Sequence, residues 1–434
     1  MTKLRIIFIL ANIYESVNGV STKYLKFIHY LINLYHDVIL LTTFKDKSLY
    51  NKLEKRDNLT VCHVHGLNIP FYKEIKIPII NENILKKHIN DGNEIIIFNG
   101  EFIWIYETLK SIKNKYKNIK LFPTMHTDYV FYNTNIYSKY NFTSVLNHLN
   151  HYLETKIFNG IVVTGEKMKE RYIKYTDNIF NANEVNLNIY KNYKIDSYGH
   201  DEDNEYNEHN KHNEYNEHNE QILYNLIYCG RISKEKNIEE ILECCLALNE
   251  KYNFNLNIIG NGPFIDNLKD IIDIKFKKIK NKIIFLGSKE SIEINTIYQT
   301  LVNRIFIFTS LSETFGKTPM EAGATGIPIF IKESEITEHL YINKKNAFIF
   351  KDVDSFIKLF DYFVSLDNIA KQLLITNSIN NIKKYDQNVI FNDWLDFLSE
   401  GMIKKENQKI NLIDMLSFYG MAKLINCSGS VFGD

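Results

Sequence analysis

The chain contains, directly after the strand-like run Ile305–Phe308, the stretch Ser310-Leu-Ser-Glu-Thr-Phe-Gly-Lys-Thr-Pro-Met-Glu-Ala-Gly323. Two glutamates, Glu313 and Glu321, flank a turn that contains Gly316 and leads into a short helical pattern. Free backbone N–H groups at the beginning of a helix attract phosphate, and carboxylates accept hydrogen bonds from hydroxyl groups. The stretch is therefore typical of a site for a nucleotide and a sugar.

The same residues also have a purely structural interpretation. Thr318, Pro319 and Glu321 fit a capping box, in which Thr318 caps the helix and Glu321 reaches back to the cap. On that interpretation Glu321 only helps to begin a helix. Glu313 precedes the helix and has no capping partner in the sequence, so the structural explanation is weaker for it.

Size and charge limit the classes of protein that need to be considered. A chain of 434 residues, 45% of them hydrophobic, suits two domains of ordinary size. Lys and Arg number 52 and Asp and Glu also number 52, so the balance of charge gives no reason to expect a nucleic-acid partner. The five cysteines are odd in number and lack a C-x-x-C spacing for zinc or redox chemistry, so we expect reduced thiols.

One apolar run near the start, Ile6–Ala11, bears on the location of the protein. It is too short to span a bilayer and has no small-residue cleavage site, which argues against a secretory signal. We therefore expect a cytoplasmic protein, either free or in peripheral contact with a membrane face.

Short β-branched runs alternate with longer amphipathic runs, which is the pattern of parallel sheets covered by helices. The predicted elements of the first set are Leu4–Leu10, Val20–Leu34, Val38–Thr43, Glu94–Phe98, Lys120–Met125 and Ile161–Thr164. Those of the second set are Asn225–Cys229, Ile238–Tyr252, Asn255–Ile259, Phe264–Phe276, Lys282–Leu286, Ile305–Phe308 and Ile327–Ile331. Helical patterns then follow over Asp352–Phe363, Ile369–Ile382 and Gln387–Leu398. The fold class is thus α/β, with two doubly wound domains.

A polar tract of low complexity, residues 199–221, lies between the two sets and repeats Asn-Glu-aromatic triplets. It cannot bury enough apolar surface to offset its ordering entropy, so we predict a disordered linker. Its histidines could hold a metal weakly, but a solvated tract of low complexity is the favoured interpretation. We expect an N-terminal domain over 1–196, the linker insert over 197–221, a second domain over 222–384 and a C-terminal segment over 385–434.

Two further candidates lie in the first domain. Gly19 opens a helix after the first strand, where α/β sheets place ligands, although an ordinary strand-to-helix turn explains it equally well. His126 follows the strand-like run Lys120–Phe122. Its imidazole could donate to a sugar hydroxyl or support proton transfer, and a structural histidine is the alternative.

The second domain offers basic residues and a glycine turn. Arg231 and Lys236 follow a strand and precede a helix, a position in which they could neutralise a diphosphate. A surface charge cluster is the alternative. The turn Gly260-Asn-Gly262 ends the next strand and is a weak signal by itself, because turns use glycine for backbone reasons.

Taken together, these motifs resemble those of glycosyltransferase family 4. They occur in the order Gly230-Arg231 with Lys236, Gly260-Asn-Gly262-Pro263, Phe285-Leu-Gly287, and Glu313-Thr-Phe-Gly316 with Glu321. Two stretches of the first domain, Ser16–Val20 and Met125–Asp128, look like the branch that contains sulfolipid synthases and nucleotide-diphosphate-mannose-dependent α-mannosyltransferases. The resemblance covers the chain except for the insert and the C-terminal tail.

The resemblance implies a GT-B fold, in which two Rossmann-like domains face a cleft and the second holds most of the nucleotide sugar. It also implies a retaining, metal-independent hexosyltransferase with no cofactor, which uses a nucleotide diphosphate sugar as donor and a lipid or glycan hydroxyl as acceptor. Lysine-rich stretches such as Lys110–Lys120 would suit anionic lipid head groups, and a solvated helix face is the alternative. A catalytically degenerate GT-B protein that binds nucleotide sugars or acts as a scaffold is the second hypothesis.

The resemblance also implies roles for single residues. Arg231 and Lys236 would contact the diphosphate, Glu313 the donor-sugar hydroxyls and Glu321 the ribose, while His126 would lie under the transferred sugar. The implied catalytic residues are His126, Glu313, Arg231 and Lys236. The implied donor-binding residues are Gly19, Arg231, Lys236, Gly262, Glu313, Phe315, Gly316, Lys317, Thr318 and Glu321.

The chain departs from the family pattern at a few positions. Asn18 and Asn237 replace glycines, Ser334-Glu335 stands where two glycines are common, and Glu184-Val185-Asn186 replaces an Asn-x-Val-Asp motif. These departures question the loop geometry, but none removes a charged group expected to contact the donor.

Overall fold

The computed structural model describes residues 2–14, 19–46, 48–49, 56–69, 72–100, 102, 105–126, 153–154, 156–190, 222–311 and 313–400. The predicted linker insert, the tail beyond residue 400, the stretch 16–18 and residues 127–128 lie outside the described residues.

Parallel strands form the centre of the first part of the chain. These strands are β1 (Arg5–Ile9), β2 (Asp37–Thr42), β3 (Leu59–His63), β6 (Ile95–Asn99), β7 (Lys120–Met125), β8 (Ile161–Val163) and β9 (Ile179–Asn181), and a separate antiparallel pair consists of β4 (Gly66–Ile69) and β5 (Tyr72–Pro78). The parallel strands form one sheet in the order β3-β2-β1-β6-β7-β8-β9. Because helices cover both faces of such a sheet, its inner strands are mostly apolar, and Ile6 to Ile9 are fully buried.

A second parallel sheet follows. Its strands are β10 (Leu223–Cys229), β11 (Asn253–Ile259), β12 (Ile283–Gly287), β13 (Arg304–Phe308), β14 (Ile329–Lys332) and β15 (Phe348–Phe350). Their order, β12-β11-β10-β13-β14-β15, places β10 and β13 side by side at the point where the strand order reverses. In open α/β sheets ligands bind outside the carboxyl ends of the strands at such a point.

Helices connect the strands. In the first part these are α1 (Gly19–Asn33), α2 (Glu82–Lys86), α3 (Tyr106–Lys115), α4 (Glu166–Tyr172) and α5 (Leu187–Tyr190). In the second part they are α6 (Ile238–Leu248), α7 (Ile265–Lys275), α8 (Ser291–Thr300), α9 (Lys317–Ala324), α10 (Glu335–Leu340), α11 (Val353–Ser365), α12 (Asn368–Lys383) and α13 (Gln387–Glu400), with 3-10 turns at Lys234–Lys236 and Lys277–Lys282. Within the part of the chain that the structure describes, no helix is both long and apolar enough to cross a membrane.

The last helix, α13, packs against the first sheet although it follows the second sheet in sequence. The ring of Trp394 stacks on that of Phe27 with centroids 4.0 Å apart, and Phe397 lies 5.3 Å from Phe122. Just before this helix, Val185 donates a backbone hydrogen bond to Tyr385 at 2.8 Å. The chain therefore crosses back from the second sheet to the first.

The α/β class with two doubly wound parallel sheets is confirmed, and the predicted strand Lys120–Met125 has the observed bounds. The sequence prediction lacked β3, β9 and β15 of the parallel sheets, and it also lacked the antiparallel pair β4 and β5. Strand β3 mixes polar and apolar residues at the edge of its sheet, and β9 and β15 are only three residues long.

Candidate functional site

The loops after β10 and β13 form one cluster at the carboxyl ends of these neighbouring strands. Lys236 Nζ lies 2.5 Å from Glu313 Oε1, and the two side chains are only 19% and 18% exposed. The Thr309 hydroxyl donates to the Asn237 carbonyl at 2.9 Å and ties the loops together. The structure thus brings together a lysine and a glutamate that lie 77 positions apart in sequence.

Close backbone contacts explain the glycines beside this cluster. A Cβ atom at Gly262 would lie 2.2 Å from the Ile232 carbonyl oxygen, and one at Gly260, where φ is +134°, would lie 1.9 Å from the Gly230 carbonyl oxygen. Only glycine permits this approach. The side chain of Arg231 is exposed at the same edge of the sheet, and its carbonyl accepts a hydrogen bond from the Tyr228 hydroxyl at 2.9 Å.

The beginning of α9 differs from the predicted capping box. The helix begins at Lys317, and the residue before it is Gly316, whose φ of 69° lies in the left-handed region. Thr318 is therefore the second helical residue rather than the cap, and the capping interpretation of Glu321 is wrong. Among the described residues no side chain caps this end of the helix, so its first N–H groups remain available to an anion.

Glu321 lies one turn into α9 and is only 7% exposed. Burial raises the pKa of its carboxyl to about 7; the nearby Glu184 also raises it, whereas Lys317 and Lys26 lower it. Ionisation of this buried carboxyl is therefore unfavourable unless polar groups stabilise the negative charge.

An ion pair joins α9 to the first part of the chain. Lys317 Nζ lies 2.6 Å from Glu184 Oε1, and the Glu184 side chain is fully buried in the segment between β9 and α5. Its other oxygen, Oε2, has no hydrogen-bond partner among the residues that the structure describes. No functional role was predicted for Glu184, and its only signal in the sequence is its place in the altered Asn-x-Val-Asp motif.

His126 lies at the carboxyl end of β7, buried against α1. Its Nε2 is 2.8 Å from the Tyr24 hydroxyl and 3.2 Å from Thr124 Oγ1. Burial, with a further contribution from Lys23, lowers the pKa of His126 to about 3, so the imidazole is neutral at pH 7. This candidate belongs to the first sheet, whereas the Lys236–Glu313 pair belongs to the second.

The turn after β13 also touches the first part of the chain. A Cβ atom at Gly165, where φ is +117°, would lie 2.1 Å from the Thr314 carbonyl oxygen. Gly165 and Glu313 line one cavity between the two sheets, together with Tyr385. Phe315 is buried and its ring contacts that of Tyr385 at 5.1 Å, so its side chain is structural and only its backbone could contact a donor.

Gly19 is the first residue of α1, and a Cβ atom there would meet none of the described residues within 4 Å. Among these residues no close contact therefore requires a glycine at this position. The approach of this loop to a donor phosphate stays a prediction.

Two departures from the family pattern have local explanations. Asn237 has a φ of 51°, in the left-handed region that asparagine tolerates better than most residues. Ser334 begins α10 with a capping box, in which its N–H donates to Thr337 Oγ1 at 3.1 Å. Both loops therefore accommodate the substituted residues.

The described residues contain no group of three or more His, Cys, Asp or Glu side chains that could hold a metal ion. The metal-free reaction stays a prediction.

Comparison with known proteins finds similarity over part of the chain. Residues 208–380 match the family model for glycosyl transferases group 1. An alpha-monoglucosyldiacylglycerol synthase of Acholeplasma laidlawii is 28% identical over 186 residues, which cover 43% of this chain and 45% of the relative. A protein of the same name from Streptococcus pneumoniae is 31% identical over 120 residues, which cover 27% of this chain and 26% of the relative. The chain thus spans less than half the length of these curated relatives.

Solved structures share the fold over nearly the whole chain. Sucrose-phosphate synthase from Thermosynechococcus elongatus has a TM-score of 0.67 at 13% identity, covering 92% of this chain and 99% of that chain. Anabaena HepE in complex with UDP-glucose has a TM-score of 0.62 at 12% identity, covering 92% and 100%. At such low identity these likenesses show the fold alone, and the fold is GT-B.

Proposed function

We propose that the chain is a retaining glycosyltransferase that moves a hexose from a nucleotide diphosphate sugar to a hydroxyl acceptor. The observation that carries the proposal is the Lys236–Glu313 pair, at 2.5 Å, inside the segment that matches glycosyl transferases group 1. It joins a cation suited to phosphate and a carboxylate suited to sugar hydroxyls at the carboxyl ends of two adjacent strands.

In this proposal the second domain stabilises the departing diphosphate. Lys236 and Arg231 supply positive charge, and the uncapped N–H groups at the beginning of α9, from Lys317 and Thr318, supply further donors. Glu313 accepts hydrogen bonds from the sugar, and Glu321 accepts them from the ribose. Binding would replace the ion pair between Lys236 and Glu313 with one contact to phosphate and one to a hydroxyl.

The acceptor would attack from the face that the diphosphate leaves, and the leaving phosphate oxygen would take the acceptor proton. No protein nucleophile is needed in this scheme. His126, neutral and held by Tyr24, would hydrogen-bond the transferred sugar rather than act as a cation.

A lipid acceptor, reached at the cytoplasmic face of a membrane, is the finer part of the proposal. Two of the curated relatives are named alpha-monoglucosyldiacylglycerol synthase, which supports it. The lysines near α2 and α3 are less available than the sequence suggested, because Glu82 pairs with Lys115 at 2.6 Å and with Lys86 at 3.0 Å. Co-sedimentation with anionic liposomes at two salt concentrations tests this part, and no binding at low salt would contradict it.

The activity itself is tested with a panel of nucleotide sugars, with and without diacylglycerol, read out as nucleotide release. We expect Lys236→Ala and Glu313→Ala to lower the rate about 100-fold or more, because each removes a charge aimed at the donor. Lys251→Ala is the matched control, since it breaks a surface ion pair with Asp361 of 3.1 Å in the same domain. EDTA should leave the rate unchanged.

The outcomes separate the hypotheses. Full activity of Glu313→Ala would refute its assignment, and loss of activity on chelation with recovery in manganese would refute the metal-free mechanism. Binding of a nucleotide sugar without turnover would instead favour the degenerate scaffold.

A further inference from the structure

Two lysines of α1, Lys23 and Lys26, affect the pKa values of His126 and Glu321 but have no assigned ligand in the proposed function. They lie on one face of the helix, one turn apart, and Lys23 is only 8% exposed. In the part of the chain that the structure describes, neither lysine has a hydrogen bond or an ion pair. A buried cation without a partner is unfavourable, so its presence here needs an explanation.

The charged groups near Lys23 belong to both parts of the chain: Glu184 to the first part and Lys317 to the second. Burial lowers its pKa to about 8, with Glu184 opposing and Lys317 contributing to the decrease. Burial and Lys317 also lower the pKa of Lys26, while Glu184 and Glu321 raise it. The two lysines of the first domain therefore lie within electrostatic range of α9 in the second domain.

The charges of this group do not balance. Glu184 is already paired with Lys317, and burial favours the protonated form of Glu321. The buried Lys23 and the half-buried Lys26 thus add positive charge within electrostatic range of Lys317, the first residue of the helix end where the diphosphate is proposed to bind. A ligand with more than one negative charge would supply the missing partners.

We propose that Lys23 and Lys26, in the first domain, form a second anion-binding surface that contacts the diphosphate of the donor. The inference rests on the proposed function and adds residues that no motif pointed to. Lys23 and Lys26 would contact the diphosphate from the first domain. Arg231 and Lys236 would contact it from the second domain. Donor binding would then draw the two domains together.

The test measures binding of UDP, GDP, ADP, inorganic pyrophosphate and the corresponding nucleosides by calorimetry. Lys23→Met keeps a long apolar stem and removes the charge, so we expect an unchanged or higher melting temperature. Binding of the preferred diphosphate should weaken about ten-fold or more, because one charge-assisted contact is lost, while nucleoside binding stays the same. Lys87→Met, at an exposed position of the first domain, should change neither property.

Equal affinity of Lys23→Met and the wild type for the diphosphate would overturn the inference and leave the proposed function standing. Weaker diphosphate binding in a protein that turns over no nucleotide sugar would support the inference while the proposed function fails. Absence of binding of every phosphate probe to the wild type would overturn both. If Lys23→Met does not fold, Lys26→Met, at a less buried position, tests the same contact with the same expected loss.

Discussion

Replacement of Glu321 by glutamine tests whether the buried carboxyl of the proposed donor site lowers the free energy of unfolding. Burial raises the pKa of Glu321 to about 7, against an ordinary value of 4.5. At about 1.4 kcal/mol for each pH unit, this difference corresponds to about 3 kcal/mol of folding free energy.

The sign follows from which state holds the proton. Below pH 4.5 the carboxyl is protonated in both the folded and the unfolded chain, so it has no effect on stability. Between pH 4.5 and about 7 the unfolded chain ionises while the folded chain keeps its proton, and the folded state becomes progressively less favoured. Above pH 7 the whole penalty is present. Glutamine does not titrate and escapes the penalty.

Urea unfolding of the wild type and of Glu321→Gln at about pH 5 and about pH 8 measures the effect. We expect the variant to be more stable by about 3 kcal/mol at the higher pH and by less than about 1 kcal/mol at the lower pH. Its affinity for the nucleotide sugar should fall. Glu250→Gln, at an exposed position, is the control and should show no such difference. The same stability change at both pH values, or a variant less stable than the wild type at pH 8, would refute the reasoning.

Two further substitutions test the architecture that supports the site. Gly262→Ala would place a Cβ atom 2.2 Å from the Ile232 carbonyl oxygen, so we expect a loss of about 1–3 kcal/mol of unfolding free energy in urea. Gly19→Ala, whose Cβ atom would meet none of the described residues within 4 Å, should unfold like the wild type. Equal stability of the two variants would contradict the contact. Trp394→Ala removes a fully buried ring that stacks on Phe27 at 4.0 Å, so we expect the free energy of unfolding to fall by about 3–5 kcal/mol. Urea unfolding measures the change. A loss below about 1 kcal/mol would show that the packing of α13 does not depend on this contact.

The sheets could be predicted from the sequence because their inner strands are buried on both faces and appear as continuous apolar runs. The core of β1, Ile6 to Ile9, is such a run. The strand Lys120–Met125, which is apolar except at Lys120 and Thr124, has the predicted bounds. Edge strands lack this signal, and β3, with the sequence Leu-Thr-Val-Cys-His, has no buried residue. The end of α6 was placed too late, at Tyr252 instead of Leu248, because no glycine or proline marks it.

The site could be predicted only in part. The resemblance related Lys236 and Glu313 to one ligand, and the structure places them in contact. Thr318 was a plausible cap by spacing, but the left-handed backbone at Gly316 begins the helix one residue earlier. Glu184 and Lys23 could not be found, because their surroundings depend on how the two sheets face each other and not on any local pattern.

The ion pairs of this structure affect which ligand the site would bind most favourably. Glu313 neutralises Lys236, and Glu184 neutralises Lys317, at 2.5 and 2.6 Å. A phosphate that took Lys236 would leave the largely buried Glu313 without a cation, and a sugar alone could not replace that cation. A molecule that carries both groups satisfies both side chains at once, since the phosphate takes the lysine and the hydroxyls take the carboxylate. The pairing in the donor-free state would therefore favour a nucleotide sugar over either of its parts.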